Sequence, residues 1–228
     1  MMNEGARPTT GVLIVEDHAI VREALTELLN KQTDLRVVGH ANSVRDAFHF
    51  LTSKQALVGI VLIDITLKGR SGLELIKDMR AQGINIPALV LSMHDELHYA
   101  ERSLRAGAMG YITKDSASET VVLAIRRVLS GEIYLSADVA LKILNGLLSS
   151  KKVTGVAQLT DRELEIFRLI GSGVRTREIA AQLQLGLTTI ETYRQRIKKK
   201  LRLESGSRLS REAFQWIESG EGVRTDLE

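Results

Sequence analysis

The chain has 228 residues, 44% hydrophobic and 26% charged, a composition ordinary for globular proteins and a length comfortable for two domains. It has no cysteine, which excludes disulfides and thiolate metal sites; its opening MMNEGARPTTG has no apolar core of signal-peptide length, and no stretch reaches a membrane span, so a cytoplasmic setting is expected. The net charge of +3 conceals an asymmetry, with 16 Lys and Arg against 17 Asp and Glu in residues 1–150 but 14 against 8 in residues 151–220, so only the second part is expected to meet a polyanion.

Short apolar runs at 12–15, 35–39, 59–63, 87–91 and 109–112 alternate with amphipathic segments at about 19–30, 43–53, 72–82, 96–106 and 117–130. Val- and Ile-rich runs of this length, bounded by polar signals, read as buried parallel strands, and five such units predict an α/β doubly wound sheet with helices on both faces. Strand order is not legible in the sequence. An order of 2-1-3-4-5 would set strands one and three side by side at the switch point. Residues 136–148 carry a helical pattern with Ser136 as N-cap, and 151–158 read as a linker.

From Leu159 the character becomes all-α. Thr160 and Glu163 form a capping-box pattern before one helix, and Thr176 is expected to cap a short second helix ending near Gly186. A longer helix then runs through LTTIETYRQRIKKKLRL, and residues 207–217 form a fourth, with Phe214 and Trp216 expected in the core. The division expected is 10–132 for the α/β domain, 133–157 for a linker holding one helix, and 158–220 for a small helix-turn-helix domain.

Four strand candidates run into polar residues of particular kinds: VLIV into Glu16-Asp17, IVLI into Asp64, ALVL into Ser92 and GYIT into Lys114. Ligands of open α/β sheets bind outside the carboxyl ends of the strands, so these groups are expected to meet at one edge. Carboxylates gathered there suit a hard divalent cation such as Mg2+, with Asp64 as a nucleophile toward phosphorus and Lys114 and Ser92 facing the phosphoryl oxygens. Each residue alone has a plainer reading. Asp17 is also a helix cap, Asp64 an Asx-turn residue, Ser92 a turn residue and Lys114 a solvated surface lysine. Jointly, four matches on five strand ends favour the chemical reading.

Residues 12–131 resemble the receiver domain of bacterial two-component response regulators, a CheY-like fold. GYITKD at 110–115 and AGA at 106–108 are the most specific parts. The resemblance implies Glu16 and Asp17 as the metal-binding acids, Asp64 as phosphoacceptor, Ser92 as switch hydroxyl, Tyr111 as switch aromatic, Lys114 as phosphate-facing lysine and the Thr66 carbonyl as a metal ligand. It implies phosphoryl transfer from a phosphohistidine on a cognate sensor histidine kinase. Lys68 stands where the family usually has proline, Glu16 where Asp is commoner, and Met93 where a small residue is common. Leu67, His94 and Thr66 are expected to line the mouth. The five histidines show no ligand spacing, and His18 is read as structural.

The helix after Gly186 places Arg194, Arg196, Lys198, Lys199, Lys200 and Arg202 within nine residues, while Ile190, Tyr193, Ile197 and Leu201 recur at core spacing. LT-x-RE at 159–163, REIA at 177–180, T-I-E-x-Y at 189–193 and I-x-x-K-L at 197–201 resemble the LuxR-type DNA-binding domain. The pattern predicts a recognition helix in the major groove of promoter DNA, with Thr188, Thr189, Glu191, Thr192, Arg194, Gln195, Lys198 and Lys199 as candidate contacts. Arg194 and Lys198 are read as phosphate contacts; Glu191, Thr192 and Gln195 are read as base contacts. Receiver plus this domain is the NarL/FixJ class, for which homodimers when phosphorylated or on DNA are expected. An aspartyl-phosphatase enzyme, and a receiver that only dimerises, are the competing readings. The first leaves the basic domain unexplained, and the intact Asp17, Asp64 and Lys114 oppose the second.

Overall fold

The computed structural model describes residues 9–67, 69–93, 97–148 and 155–219. Its first part alternates β1 (Thr10–Val15), α1 (Ala19–Asn30), β2 (Leu35–Ala41), α2 (Val44–Lys54), β3 (Ile60–Asp64), α3 (Gly72–Ala81), β4 (Ala88–Ser92), α4 (Leu97–Ala106), β5 (Gly110–Thr113) and α5 (Ser118–Leu129). The strands form one parallel sheet in the order β2-β1-β3-β4-β5. The α/β doubly wound expectation therefore holds, and the order is the one that brings strands one and three together.

Periodicity explains the layers. Val12, Ile14, Ile60, Leu62, Leu89 and Leu91 belong to one buried cluster with Leu29 of α1 and Val121, Val122, Ile125 and Val128 of α5. Their sequence neighbours Leu13, Val15, Val61, Ile63 and Val90 turn to the opposite face and are also fully or almost fully buried. This is why β3 and β4 read as unbroken apolar runs. Replacing Leu62 by Ala would cost about 2–5 kcal/mol through lost burial and the cavity left behind. The helices start where a side chain can satisfy their free N–H groups. The Ser43 hydroxyl accepts from the Asp46 amide at 3.1 Å and the Ser71 hydroxyl from the Leu73 amide at 3.3 Å.

Beyond α5, Tyr134 forms a parallel bridge to Gly110 of β5 inside the stretch expected to be linker. Helix α6 (Ala137–Leu148) follows, with the Ser136 hydroxyl accepting from the Val139 amide at 3.4 Å, as the sequence predicts. The chain divides into two compact units between Leu144 and Asn145. Residues 151–154 of the expected linker lie outside the described residues, and 155–158 are a single 3-10 turn rather than an unstructured connection.

The second unit is all-α: α7 (Asp161–Gly171), α8 (Thr176–Gln182), α9 (Leu187–Lys200) and α10 (Gly206–Ser219). Its core includes Phe167, Ile179, Ile190, Ile197, Leu209 and Trp216, and the rings of Phe167 and Trp216 pack at 5.8 Å between centroids. The Thr160–Glu163 capping box forms as expected. Thr176 is instead the first helical residue of α8. Arg175 occupies the cap position, and Glu178 closes the turn by accepting its backbone N–H at 3.1 Å. Phe214 is 55% exposed, contrary to expectation, because residues two apart on a helix project about 200° apart and Trp216 takes the inward direction. Among the described residues no helix is long and apolar enough to cross a membrane.

Candidate functional site

The sheet order fixes the first site. Val15 pairs with Ile63 and Asp64 with Leu91, so the ends of β1, β3 and β4 lie level. Glu16, one step beyond β1, therefore reaches the same edge as Asp64. Both are buried, at 1% and 2% exposure. Ligand atoms of Glu16, Asp17, His18 and Asp64 all lie within 4.8 Å of one another.

Lys114 follows β5, and its amide donates to the carbonyl of Ser92 at 2.7 Å. Its ammonium is turned into the edge, 2.5 Å from Glu16 Oε2 and 2.8 Å from Asp64 Oδ2. The plain reading of Lys114 as a solvated lysine is thus excluded. Burial alone would lower its pKa, but the Asp64 and Glu16 carboxylates outweigh that and hold it above the ordinary lysine value.

Asp64 is pushed the opposite way. Burial raises its pKa to about 6, with the Glu16 charge adding to the rise, while Lys114 and the Thr66 amide oppose it. That amide donates to Asp64 Oδ1 at 3.2 Å, the Asx-type bond of the plain reading, so the turn and the pocket coexist. The start of α3 packs tightly beneath the same residue. A methyl group on Gly72 would stand 2.1 Å from the Asp64 carbonyl oxygen, which explains glycine there.

Asp17 does not cap α1; His18 occupies the N-cap position without a side-chain cap bond. The His18 amide donates to Glu16 Oε1 at 3.0 Å, and its Nδ1 lies 2.9 Å from the same oxygen and 3.0 Å from Asp17 Oδ1. Arg22 anchors the loop from beyond, donating to the Glu16 carbonyl at 2.9 Å. Among the described residues the Lys114 ammonium pairs with Glu16 and Asp64, and the Asp17 carboxylate lies beside them in the same cluster. Such a deficit of positive charge is what a hard divalent cation neutralises, and the donor set fits one.

Ser92 ends β4 beside β3 and is 1% exposed. Tyr111 is 2% exposed, so in this conformation its ring is already inside. Thr66 is half-buried in the loop after Asp64, and Met93 is 70% exposed beside the site. Leu67 is not at the mouth as expected: it is buried, its apolar side chain drawn into the core. Lys68 and His94 lie outside the described residues.

Helix α9 supplies the second site. Thr188, Thr189, Glu191, Thr192, Gln195 and Lys199 are exposed, and Arg194 and Lys198 are half-buried. Ile190 and Ile197 are fully buried, whereas Tyr193 and Leu201 are only half-buried. The Thr192 hydroxyl donates to the Thr188 carbonyl at 2.8 Å, which leaves its methyl group as the outward feature. The Arg196 guanidinium lies 5.8 Å from the Tyr193 ring centroid.

Sequence reading missed one member of the basic run. Lys200 turns inward, 2.5 Å from Glu163 Oε2 and 3.3 Å from the Gln158 carbonyl. Nothing local separates it from Lys198 and Lys199. Its partner lies on α7, and the only available signal was Glu163 in the capping box.

Two family models match the chain, the response regulator receiver domain over residues 12–126 and the luxR family of bacterial regulatory proteins over residues 157–213. The chain is 32% identical over 200 residues to response regulator UvrY of Escherichia coli, covering 87% of this chain and 91% of that one. A crystal structure of a LuxR-family two-component response regulator from Aurantimonas is 30% identical with a TM-score of 0.58, covering 62% of this chain and 99% of the other. RcsB from Salmonella enterica, solved bound to the promoter rprA, is 22% identical with a TM-score of 0.61, covering 89% and 97%, and shows the fold alone.

Proposed function

The chain belongs to the two-component response regulators, transcription regulators that join a receiver domain to a LuxR-type DNA-binding domain, and from that membership we propose that Asp64 is the phosphoryl acceptor and α9 the DNA-reading helix. Residues 10–132 would be the receiver, 133–157 the linker and 158–220 the DNA-binding domain.

In this reading an Asp64 carboxylate oxygen attacks the phosphorus of a phosphohistidine on a sensor kinase. The P–N bond breaks, the imidazole leaves and an acyl phosphate forms. Glu16, Asp17, Asp64 and the Thr66 carbonyl would hold Mg2+, which supplies charge neutralisation for the incoming phosphoryl oxygens. Lys114 exchanges its bond to the Asp64 carboxylate for one to those oxygens, and Ser92 donates its hydroxyl to them. Tyr111 is already buried, so phosphorylation stabilises the inward ring rather than drawing it in from outside.

The observation that carries this reading is the Lys114 ammonium held between two buried carboxylates at the switch point of the sheet. Ligands of this fold bind at that edge, so a cation paired there with two acids stands where a phosphoryl group would be received.

Helix α9 lies in the major groove of promoter DNA in this reading. Arg194, Lys198 and Lys199 contact phosphates, Thr188 and Thr189 approach at the helix N-terminus, and Glu191, Thr192 and Gln195 face base edges. The protein acts as a homodimer on paired half-sites, in the cytoplasm, as a switch rather than an enzyme.

Labelled acetyl phosphate tests the first half. Stoichiometric label that persists in the wild type and disappears in Asp64→Asn supports it, and label retained in that variant refutes it. Continuous phosphate release without accumulated label would make the chain a phosphatase. Selection of bound duplexes with and without donor tests the second half, and no change in affinity would sink the switch.

A further inference from the structure

Strand β5, which Lys114 follows, is an edge strand whose outer side is partly covered. Tyr134 pairs with it: the Tyr134 amide donates to the Met109 carbonyl at 3.0 Å, and the Tyr111 amide donates to the Tyr134 carbonyl at 3.0 Å. The fit leaves no room for a side chain at the position between them. A methyl group on Gly110 would stand 2.9 Å from the Tyr134 carbonyl oxygen. The Tyr134 ring packs against the core cluster that holds Ile112 of β5 and Val128 of α5.

Two residues later the Ser136 hydroxyl caps α6, and the Ser136 carbonyl accepts from the Ala140 amide at 3.0 Å. Helix α6 is the element in which the first compact unit ends, between Leu144 and Asn145. A continuous series of short contacts therefore runs from Asp64 to Lys114 at 2.8 Å, along β5, across two backbone hydrogen bonds to Tyr134, and into the cap of α6.

We propose that the backbone pairing of Tyr134 with β5 is the linkage that carries a change at the Asp64 pocket into α6 and so toward the DNA-binding domain. The inference rests on phosphorylation-controlled DNA binding as read above. Phosphorylation of Asp64 removes the carboxylate charge to which Lys114 is bonded and offers that ammonium new oxygens. Lys114 is covalently the next residue after β5, so β5 feels the exchange directly. A displacement of β5 either drags Tyr134 with it or breaks two backbone hydrogen bonds, each contributing about 0.5–1.5 kcal/mol. With only Leu135 and Ser136 between Tyr134 and the first turn of α6, there is too little chain to absorb the motion.

The linkage is tested in the full-length chain, with acetyl phosphate as donor and a duplex selected from a randomised pool as the DNA probe. Tyr134→Pro removes the amide that bonds Met109. Tyr134→Ala keeps that amide and removes the ring. The wild type is expected to change its DNA affinity about tenfold with donor. Tyr134→Pro is expected to label at Asp64 to the wild-type stoichiometry yet change its affinity less than about twofold, while Tyr134→Ala keeps most of the response. Should the proline variant not fold, amide exchange in the wild type decides. The Tyr111 amide must alter its protection with donor while amides of Leu62 and Leu89 in the sheet centre do not. A full response in folded Tyr134→Pro, or a Tyr111 amide indifferent to donor, overturns the linkage and leaves the proposed function standing. A wild type with no donor response at all overturns both.

Discussion

Lys200 Nζ lies 2.5 Å from Glu163 Oε2 and ties the end of α9 to the start of α7. The Glu163 carboxylate is 3% exposed and also accepts the Thr160 amide at 2.7 Å, so one group closes the α7 cap and holds α9 in place. Burial alone would raise the Glu163 pKa. The bonds to Lys200 and Thr160 outweigh it and set the value below the ordinary 4.5. A lowered folded pKa contributes stability that is fully present above 4.5 and is lost as pH falls through the folded value. Lys200→Met leaves a buried carboxylate without its cation and should destabilise the DNA-binding domain by about 1–2 kcal/mol at neutral pH. Lys199→Met should leave stability within about 0.5 kcal/mol. Urea unfolding of the two variants separates them, and the Lys200→Met deficit should shrink toward pH 4.

Asp64 has the opposite sign. Its pKa is raised from 3.8 to about 6, so the folded pocket disfavours the carboxylate. In chelator this costs stability that is absent below 3.8, grows as pH rises and is complete above about 6, roughly 3 kcal/mol at most. The Tm difference between Asp64→Asn and wild type should therefore move in favour of the variant as pH rises from about 4 to 7, and Mg2+ should reverse that trend. Calorimetric titration should show wild-type Mg2+ affinity climbing through pH 6 and then levelling. A flat profile would contradict the charge deficit described for the pocket.

Gly72 should matter through the backbone. Alanine there places a methyl group 2.1 Å from the Asp64 carbonyl oxygen and 2.7 Å from Ile63 Cγ2. The end of β3 must shift or α3 must back away. Gly72→Ala is expected to cost about 1–3 kcal/mol and to slow labelling by acetyl phosphate more than tenfold, since positioning is most of what such a pocket contributes. Thermal melts and initial labelling rates check both parts.

Contacts on α9 divide by their salt response. Lys198→Ala should weaken every duplex alike and reduce the slope of log affinity against log salt by about 1. Gln195→Ala should leave the slope intact and lose about 1–3 kcal/mol of discrimination at one base pair. Fluorescence anisotropy on the selected duplex and its single-base variants, at several salt concentrations, distinguishes the two.

The receiver pocket was legible because buried parallel strands leave unbroken apolar runs, and the residue that ends each run is placed by the strand itself. Glu16, Asp17, Asp64, Ser92 and Lys114 needed only that rule. What the rule cannot supply is the bond between Lys114 and Glu16, which depends on strand order and spans 98 positions. Helix periodicity settled Ile190 and Ile197 but not Lys200, whose direction is decided by a carboxylate on another helix. Phe214 and Trp216 were within reach of the sequence, since two residues apart on a helix do not share a face. Tyr134 was not, because a single bridging residue carries no period.

Beyond its place in the fold, the Tyr134 bridge bears on aggregation. A parallel sheet has two edges, and an edge strand offers its unpaired amides and carbonyls to any other extended chain. Tyr134 takes one donor of β5, the Tyr111 amide, and the Met109 carbonyl just before the strand, which is four residues long. A state that peels Tyr134 away opens a short template for strand addition beside the core. The regulator's solubility is thereby tied to the same two hydrogen bonds as its proposed signal. Variants that loosen them should precipitate sooner at a given concentration, even where the pocket itself is unchanged.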